Sequence, residues 1–332
     1  MAPLAVSLGD PAGVGPELIA QAWFDRSRDS LPPFFAMSGA RILAEAAKAR
    51  GIEVPVIEIA DARDAPDAFA QGLPVLGTDD GEYRPGSPDP AGAALALASL
   101  TQATALAVAG AADALVTGPV AKSRLAEVGF VHPGQTEFVA AACGIAPGDA
   151  VMLLAGPSLR TVPLTVHVAL ADVPRALTAE LIERRGRITA AALQRDFGIA
   201  RPRLAFAALN PHAGEDGRFG DEEARIIVPA IAALQAAGID ATGPHPADAL
   251  FAARARTTYD VALCMYHDQA LIPLKTLDFD SGVNMTLGLP IVRTSPDHGT
   301  AFGIAGKGLA DPGAMIAAIR MAGECAARRA LK

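Results

Sequence analysis

The chain has 332 residues, of which 51% are hydrophobic and 19% charged, and its formal net charge is −8. That composition excludes a disordered chain, and the acidic balance argues against a nucleic-acid-binding surface. Thirty-two glycines and 26 prolines exclude a plain helical bundle, and the length exceeds the roughly 250–300 residues at which one core stops growing, so two lobes joined by many shaped loops are expected.

Along the chain, Pro3 to Leu8 forms an apolar strand that meets GDPAGVGPE, with a helix beginning near Pro16 and Glu17 at its positive end. Residues 33–38 predict a second strand, an alanine-rich helix runs through Arg50, and VPVIEIA predicts a third strand. This is β/α alternation. From Asp61 to Pro90 the proline, glycine and aspartate content predicts a surface connection. The stretch from Pro90 to Asp113 is long enough to test for membrane insertion, but alanine is a weak lipid anchor and a buried helix is expected. ADALVTGPVAKSRL predicts a buried strand, a glycine/proline loop and a helix. Residues 150–156 and 160–170 lie too close for a helical crossover and predict antiparallel strands, with His167 inside the second. Val173 to Gln194 has a helical pattern interrupted by Gly186. Two further apolar strands open into NPHAGEDG and YHDQALIPLK, and a last helix closes the chain with Asp311 near its start and Arg328 and Arg329 near its end.

Cys143, Cys264 and Cys325 form no CxxC pair and fit small apolar packing in a reducing compartment. The first residues carry no signal-peptide pattern, so a cytoplasmic location and no membrane partner are expected.

The six histidines lie far apart, which excludes HExxH and zinc-finger spacing. His167, His212 and His267 nevertheless fall within or just after apolar strands, where three imidazoles can converge on one divalent ion, with Asp268 and Glu215 orienting the rings. Single structural histidines are the alternative at this point. GDPAGVGPE is not GxGxxG, and GPVAKS is not a P-loop. Lys122 and Ser123 of GPVAKS, and Gln135 and Thr136 of HPGQTEF, either contact an anion or serve as turn and cap residues. Lys275, Asn284 and Arg293 follow loops on either side of NMTLGLP and together make an anion-holding set. The late glycines, Gly299, Gly303 and Gly306 among them, either wrap an adenine nucleotide or form a turn-rich cap.

Taken together and in order, GDPAGVGPE, DALVTGPVAKS, HPGQTEF, NPHAGEDG, YHDQALIPLK and DHGTAFGIAGKG resemble the PdxA family, the 4-hydroxythreonine-4-phosphate dehydrogenases of pyridoxal phosphate biosynthesis. The resemblance implies an α/β, two-lobed fold of the isocitrate/isopropylmalate dehydrogenase type with a central cleft, not a Rossmann fold. It places approximately 1–130 and 265–332 in a first lobe and approximately 131–264 in a second that carries dimer contacts. It further implies a homodimer with a shared active site, NAD, and one divalent metal ion (Zn, Mg, Mn or Co) held by His167, His212 and His267. Gln135, Thr136, Lys275, Asn284 and Arg293 would contact a phosphorylated substrate, Lys275 and Asp248 would be the catalytic candidates, and Gly299, Gly303 and Gly306 would meet the cofactor.

One departure stands out: the commoner family form has histidine, in GHTE, where this chain has Gln135, which cannot become cationic. The implied reaction is oxidation and decarboxylation of 4-phosphooxy-L-threonine to 3-amino-2-oxopropyl phosphate. Oxidation of threonate or erythronate 4-phosphate is the related alternative, and a metal-dependent phosphohydrolase or a noncatalytic ligand-binding protein would use the same polar residues differently.

Overall fold

The structure is a computed structural model and describes residues 2–331. In chain order it runs β1 (Leu4–Ser7), α1 (Gly15–Phe24), β2 (Phe34–Met37), α2 (Ala40–Arg50), β3 (Val56–Ile59), β4 (Leu73–Leu76), α3 (Pro90–Val108), β5 (Ala114–Thr117), α4 (Lys122–Glu127) and α5 (Gln135–Ala142). There follow β6 (Val151–Ala155), β7 (Arg160–Pro163), α6 (Ala179–Asp196), β8 (Arg203–Ala207), α7 (Val228–Ala236), β9 (Asp240–His245), β10 (Val261–Cys264), α8 (His267–Asp278), β11 (Val283–Leu287), β12 (Val292–Pro296) and α9 (Gly313–Ala330). The chain divides into two compact units, Met1–Pro147 with Leu289–Lys332, and Gly148–Gly288.

In the first unit, strands lie in the order β3-β4-β2-β1-β5-β12, and every pairing is parallel. Parallel neighbours need crossover connections, and strands buried on both faces read as continuous apolar runs, as LAVS, FFAM and ALVT do here. The alanine-rich α3 is the one helix among the described residues long and apolar enough to cross a membrane. It packs instead as a core helix, with Leu95, Ala96, Ser99, Leu100, Ala103 and Ala107 buried. Asp89 caps it, accepting the Gly92 N–H at 2.7 Å, and Pro90 occupies a first-turn position whose N–H has no intrahelical partner.

Ser99 does more than fill space. Its Oγ accepts the Leu8 N–H at 2.9 Å and donates to the Met37 carbonyl at 2.7 Å, fixing the point where β1 turns into GDPAG. Ser99→Ala leaves both buried backbone groups without that partner and is expected to destabilise the protein by about 2–4 kcal/mol. Urea unfolding followed by fluorescence of Trp23, the only tryptophan, measures it; a loss below about 0.5 kcal/mol would show that the backbone repairs the gap.

The second unit has a mixed sheet in the order β11-β6-β7-β10-β8-β9. β6 pairs antiparallel with both β11 and β7, whereas β7, β10, β8 and β9 pair in parallel. The expected antiparallel pair is therefore present. Its second strand is shorter than expected, ending at Pro163, which has no N–H for the ladder, so His167 lies beyond the strand and not within it. Gly186 does not interrupt α6: a Cβ there would stand 2.7 Å from Leu234 Cδ1, so glycine lets α6 and α7 approach. The segment 61–90 also departs from expectation, since β4 within it is a largely buried strand.

The units differ from the expected lobes at both boundaries. Phe138 of α5 packs on the Ala96, Leu100, Leu125 and Phe130 cluster, which draws residues 131–147 into the first unit. Pairing of β11 with β6, and of Ala270 and Leu274 with Leu154 and Ala262, draws 265–288 into the second.

Candidate active site

Three of the sequence motifs meet at the carboxyl ends of β1, β5 and β12, which are neighbours in the first unit's sheet. Open parallel sheets present ligand sites at this edge. The loop after β1 and the loop after β5 interlock through backbone: Asp10 N–H donates to the Pro119 carbonyl at 2.9 Å and Gly118 N–H to Ser7 O at 3.2 Å. Glycine is required at both contacts, because a Cβ would stand 2.7 Å from Pro119 O at Gly9 and 2.7 Å from Ser7 O at Gly118. The loop after β12 docks on the same turn, with Val14 N–H donating to Thr300 O at 2.9 Å. Asp10 Oδ1 accepts the Ala12 N–H at 3.0 Å and closes the turn; burial raises the Asp10 pKa, partly opposed by that N–H.

Arg293 projects from β12 into this edge and is 3% exposed. It donates to Thr117 Oγ1 at 2.7 Å and to Thr136 Oγ1 at 3.5 Å. Burial pushes its pKa down to about 10, with Glu137 opposing, so the guanidinium remains cationic at neutral pH. Gln135, at the start of α5, donates from Nε2 to the Gly118 carbonyl at 3.2 Å, while its Oε1 is buried without a hydrogen-bond partner. Gln135, Thr136 and Arg293 are thus gathered in one place. Arg293 and Asn284 lie within strands, and Lys275 on a helix.

Of the late glycines, Gly299 and Gly303 face open space, whereas Gly306, at φ +71°, is held by packing: a Cβ would stand 2.6 Å from Pro85 Cγ. The open pair fits close approach of a ligand to backbone. His132 packs between Phe130 and Phe138, with ring centroids 5.6 and 5.5 Å away, and serves the core.

In the second unit His167 and His267 come together, with ring centroids 6.0 Å apart. His267 Nδ1 lies 2.8 Å from Asp268 Oδ1. A carboxylate partner fixes the proton on Nδ1 and turns the Nε2 lone pair outward, an arrangement that suits a metal-ligating histidine. Asp268 therefore takes the expected orienting place, but Glu215 does not: its carboxylate lies 3.6 Å from Arg218. His212 stands beside Phe219, and among the described residues no three His, Cys, Asp or Glu side chains form a metal-holding group. The expected trio is not assembled within one chain. Asp248 is exposed in the turn Ala247–Leu250. Lys275 is half-buried on α8, its Nζ 5.9 Å from the Phe279 ring centre, and it shares a surface depression with His267 and Asp268.

The backbone at these loops is strained in a manner that fits a binding role. His167 and His212 have φ +53°, followed by Ala213 at +53°, Glu215 at +41° and Asp216 at +56°. Each costs on the order of 1–3 kcal/mol and persists only where the surroundings enforce it. Two enforcing residues escaped the sequence reading. Glu223 is buried and its Oε1 accepts the Leu209 and Asn210 N–H groups at 2.9 and 2.7 Å. Gln269 accepts the Met265 N–H at 2.7 Å and donates to the Ala208 carbonyl at 2.7 Å, tying the strand end before His267 to the one before His212.

The family model for the pyridoxal phosphate biosynthetic protein PdxA matches residues 31–322. The chain belongs to the PdxA family. A 4-hydroxythreonine-4-phosphate dehydrogenase of Erythrobacter litoralis is 65% identical over 328 residues, covering 99% of this PdxA chain and 98% of that protein. One from Zymomonas mobilis is 56% identical, covering 99% and 97%. Among solved structures, a 4-hydroxythreonine-4-phosphate dehydrogenase from Klebsiella pneumoniae shares the PdxA fold with a TM-score of 0.86 at 36% identity, covering 98% of this chain and 100% of that one. A terephthalate 1,2-cis-dihydrodiol dehydrogenase from Burkholderia xenovorans matches at TM-score 0.66 and 30% identity, covering 97% and 98%.

Proposed function

We propose that the protein is an NAD- and divalent-metal-dependent oxidoreductase that converts 4-phosphooxy-L-threonine to 3-amino-2-oxopropyl phosphate in pyridoxal phosphate biosynthesis. The observation that carries this is the buried Arg293, bonded to Thr117 and Thr136, on the same strand-end edge as the interlocked glycine loops of a PdxA family chain. A cation held by two hydroxyls suits a phosphate or carboxylate, and backbone open at Gly299 and Gly303 suits a dinucleotide.

In this reading the C3 hydroxyl loses a hydride to NAD and its proton to a base, giving 2-amino-3-oxo-4-phosphooxybutanoate, a β-keto acid that releases carbon dioxide and takes up a proton. Arg293 and Thr136 hold the anionic end. Lys275 is the better placed of the two base candidates, since it lines the same depression as His267, whereas Asp248 is exposed. His167 and His267 would hold the divalent ion, with His212 as third ligand contributed across a homodimer. When bound, the ion supplies Lewis acidity at the hydroxyl and then at the carbonyl oxygen. Asp268 keeps the His267 ring in one tautomer.

The shared site gains support from the apolar rim around the two histidines. Leu170 is 67% exposed and Ile272 63%, with Val168 also exposed, and a second copy of the chain covering them would shed water from the site. A cytoplasmic location is in keeping with three cysteines outside any disulfide, two of them buried.

Absorbance at 340 nm tests the proposal. Purified protein with NAD, divalent metal and 4-phosphooxy-L-threonine is expected to form NADH, and chelation to stop it. NADH formation from threonate or erythronate 4-phosphate but not from the amino substrate would move the assignment to those acids; phosphate release without NADH would replace it with hydrolysis.

A further inference from the structure

We propose that Lys122 is a phosphate-binding residue of this chain and supplies the positive charge that Gln135 lacks. The inference rests on the reading that a phosphorylated substrate lies against Thr136 and Arg293.

A histidine at position 135 would bring an imidazole that becomes cationic as it meets an anion. Gln135 brings no charge: one N–H of its Nε2 is committed to the Gly118 carbonyl, and its Oε1, buried without a partner, is an acceptor that repels phosphate oxygens. The missing charge must come from a neighbour. Lys122 opens α4, four residues beyond Gly118 on the loop that Gln135 pins. Its Nζ lies 3.3 Å from the point where a Cβ on Gly134 would stand, immediately before Gln135 and Thr136. Glycine at 134 leaves that space to the ammonium.

The charges around this point decide what it can hold. Glu137 Oε2 stands 3.1 Å from the same point, and Glu137 also acts on Arg293. Lys122 itself is exposed. A flexible ammonium at Lys122 and a fixed guanidinium at Arg293 suit a tetrahedral anion, because Arg293 sets the orientation and Lys122 follows the charge. Gln135 then becomes a positioning residue, holding the Lys122 loop against α5 through Gly118.

The test uses the intact protein and inorganic phosphate, read by calorimetry. Lys122→Gln is expected to raise the phosphate dissociation constant about tenfold, and Lys122→Arg to keep it within about threefold. In the NADH assay the same Lys122→Gln protein should show KM for 4-phosphooxy-L-threonine raised about tenfold and an unchanged KM for NAD. Adding Gln135→His to Lys122→Gln should recover phosphate affinity at pH 6, where imidazole is cationic, and recover less at pH 8. A thermal melt matching the parent shows that each variant is folded. Phosphate affinity unmoved in folded Lys122→Gln overturns the proposal, as does a parent that binds no phosphate. If phosphate affinity falls as expected while 4-phosphooxy-L-threonine is not oxidised, the Lys122 site stands and the substrate reading fails.

Discussion

Replacing Arg293 with lysine is expected to lower kcat/KM for the phosphorylated substrate by about 100- to 1000-fold, roughly 3–4 kcal/mol of lost stabilisation, while leaving the fold intact. The size follows from geometry. The guanidinium reaches Thr117 and Thr136 at once and, as a rigid fork, still presents donors in a fixed plane. A lysine ammonium on the same buried strand position has no such fork, and desolvation that already depresses the Arg293 pKa bears harder on an amine, which sheds its proton more readily. Arg293→Met removes the charge altogether, should cost more activity, and should not lower the melting temperature, because an apolar side chain of similar length suits the buried site. Steady-state kinetics with a parallel thermal melt reads both. A Lys variant with kcat/KM within fivefold of the parent would show that Arg293 braces the strand ends and does not hold substrate.

Removing the divalent ion is expected to abolish NADH formation, a loss of more than about 1000-fold, with recovery on adding back Zn, Mn or Co. His167→Ala and His267→Ala should match the chelated enzyme and should fail to retain metal on dialysis, measured by elemental analysis, so that the result does not rest on turnover alone. Asp268→Asn is the more discriminating variant. It keeps a side chain 2.8 Å from His267 Nδ1 but removes the charge that favours the proton there, and metal affinity should fall about 10- to 100-fold, with activity restored by excess metal. Equal metal content in His267→Ala and the parent would remove His267 from the proposed ligand set.

How much of this was legible in the sequence depended on whether a signal was local. Apolar runs such as FFAM and ALVT fixed their strands because burial on both faces leaves no ambiguity, and GPVAKS and HPGQTEF announced a loop and a helix start through glycine, proline and polar residues. His167 was misplaced because alternation continues past Pro163 while the strand does not. β4 was missed because four buried residues sat inside a segment dominated by turn formers. The lobe boundaries depended on what α5 and β11 pack against, which is non-local. Glu223 lay hidden for another reason: DEEARII reads as a solvated helix start, and nothing in it discloses that this carboxylate turns inward to two backbone N–H groups. Gln269 stood in plain view beside His267, yet its bond to Ala208 spans 61 positions.

The interlocked loops after β1, β5 and β12 have a consequence for how this enzyme can change over time. Their mutual fit is made by main chain against main chain at Gly9, Gly13 and Gly118, where a Cβ would stand 2.7, 2.8 and 2.7 Å from a carbonyl oxygen. Nearly any substitution at those three positions meets a backbone wall. Side chains that merely reach this frame, such as Lys122 at the start of α4 and Gln135 at the start of α5, meet no such backbone wall, so substitution there leaves the frame in place. Change at this edge is thereby channelled into side chains, and the backbone frame beneath them is inherited whole.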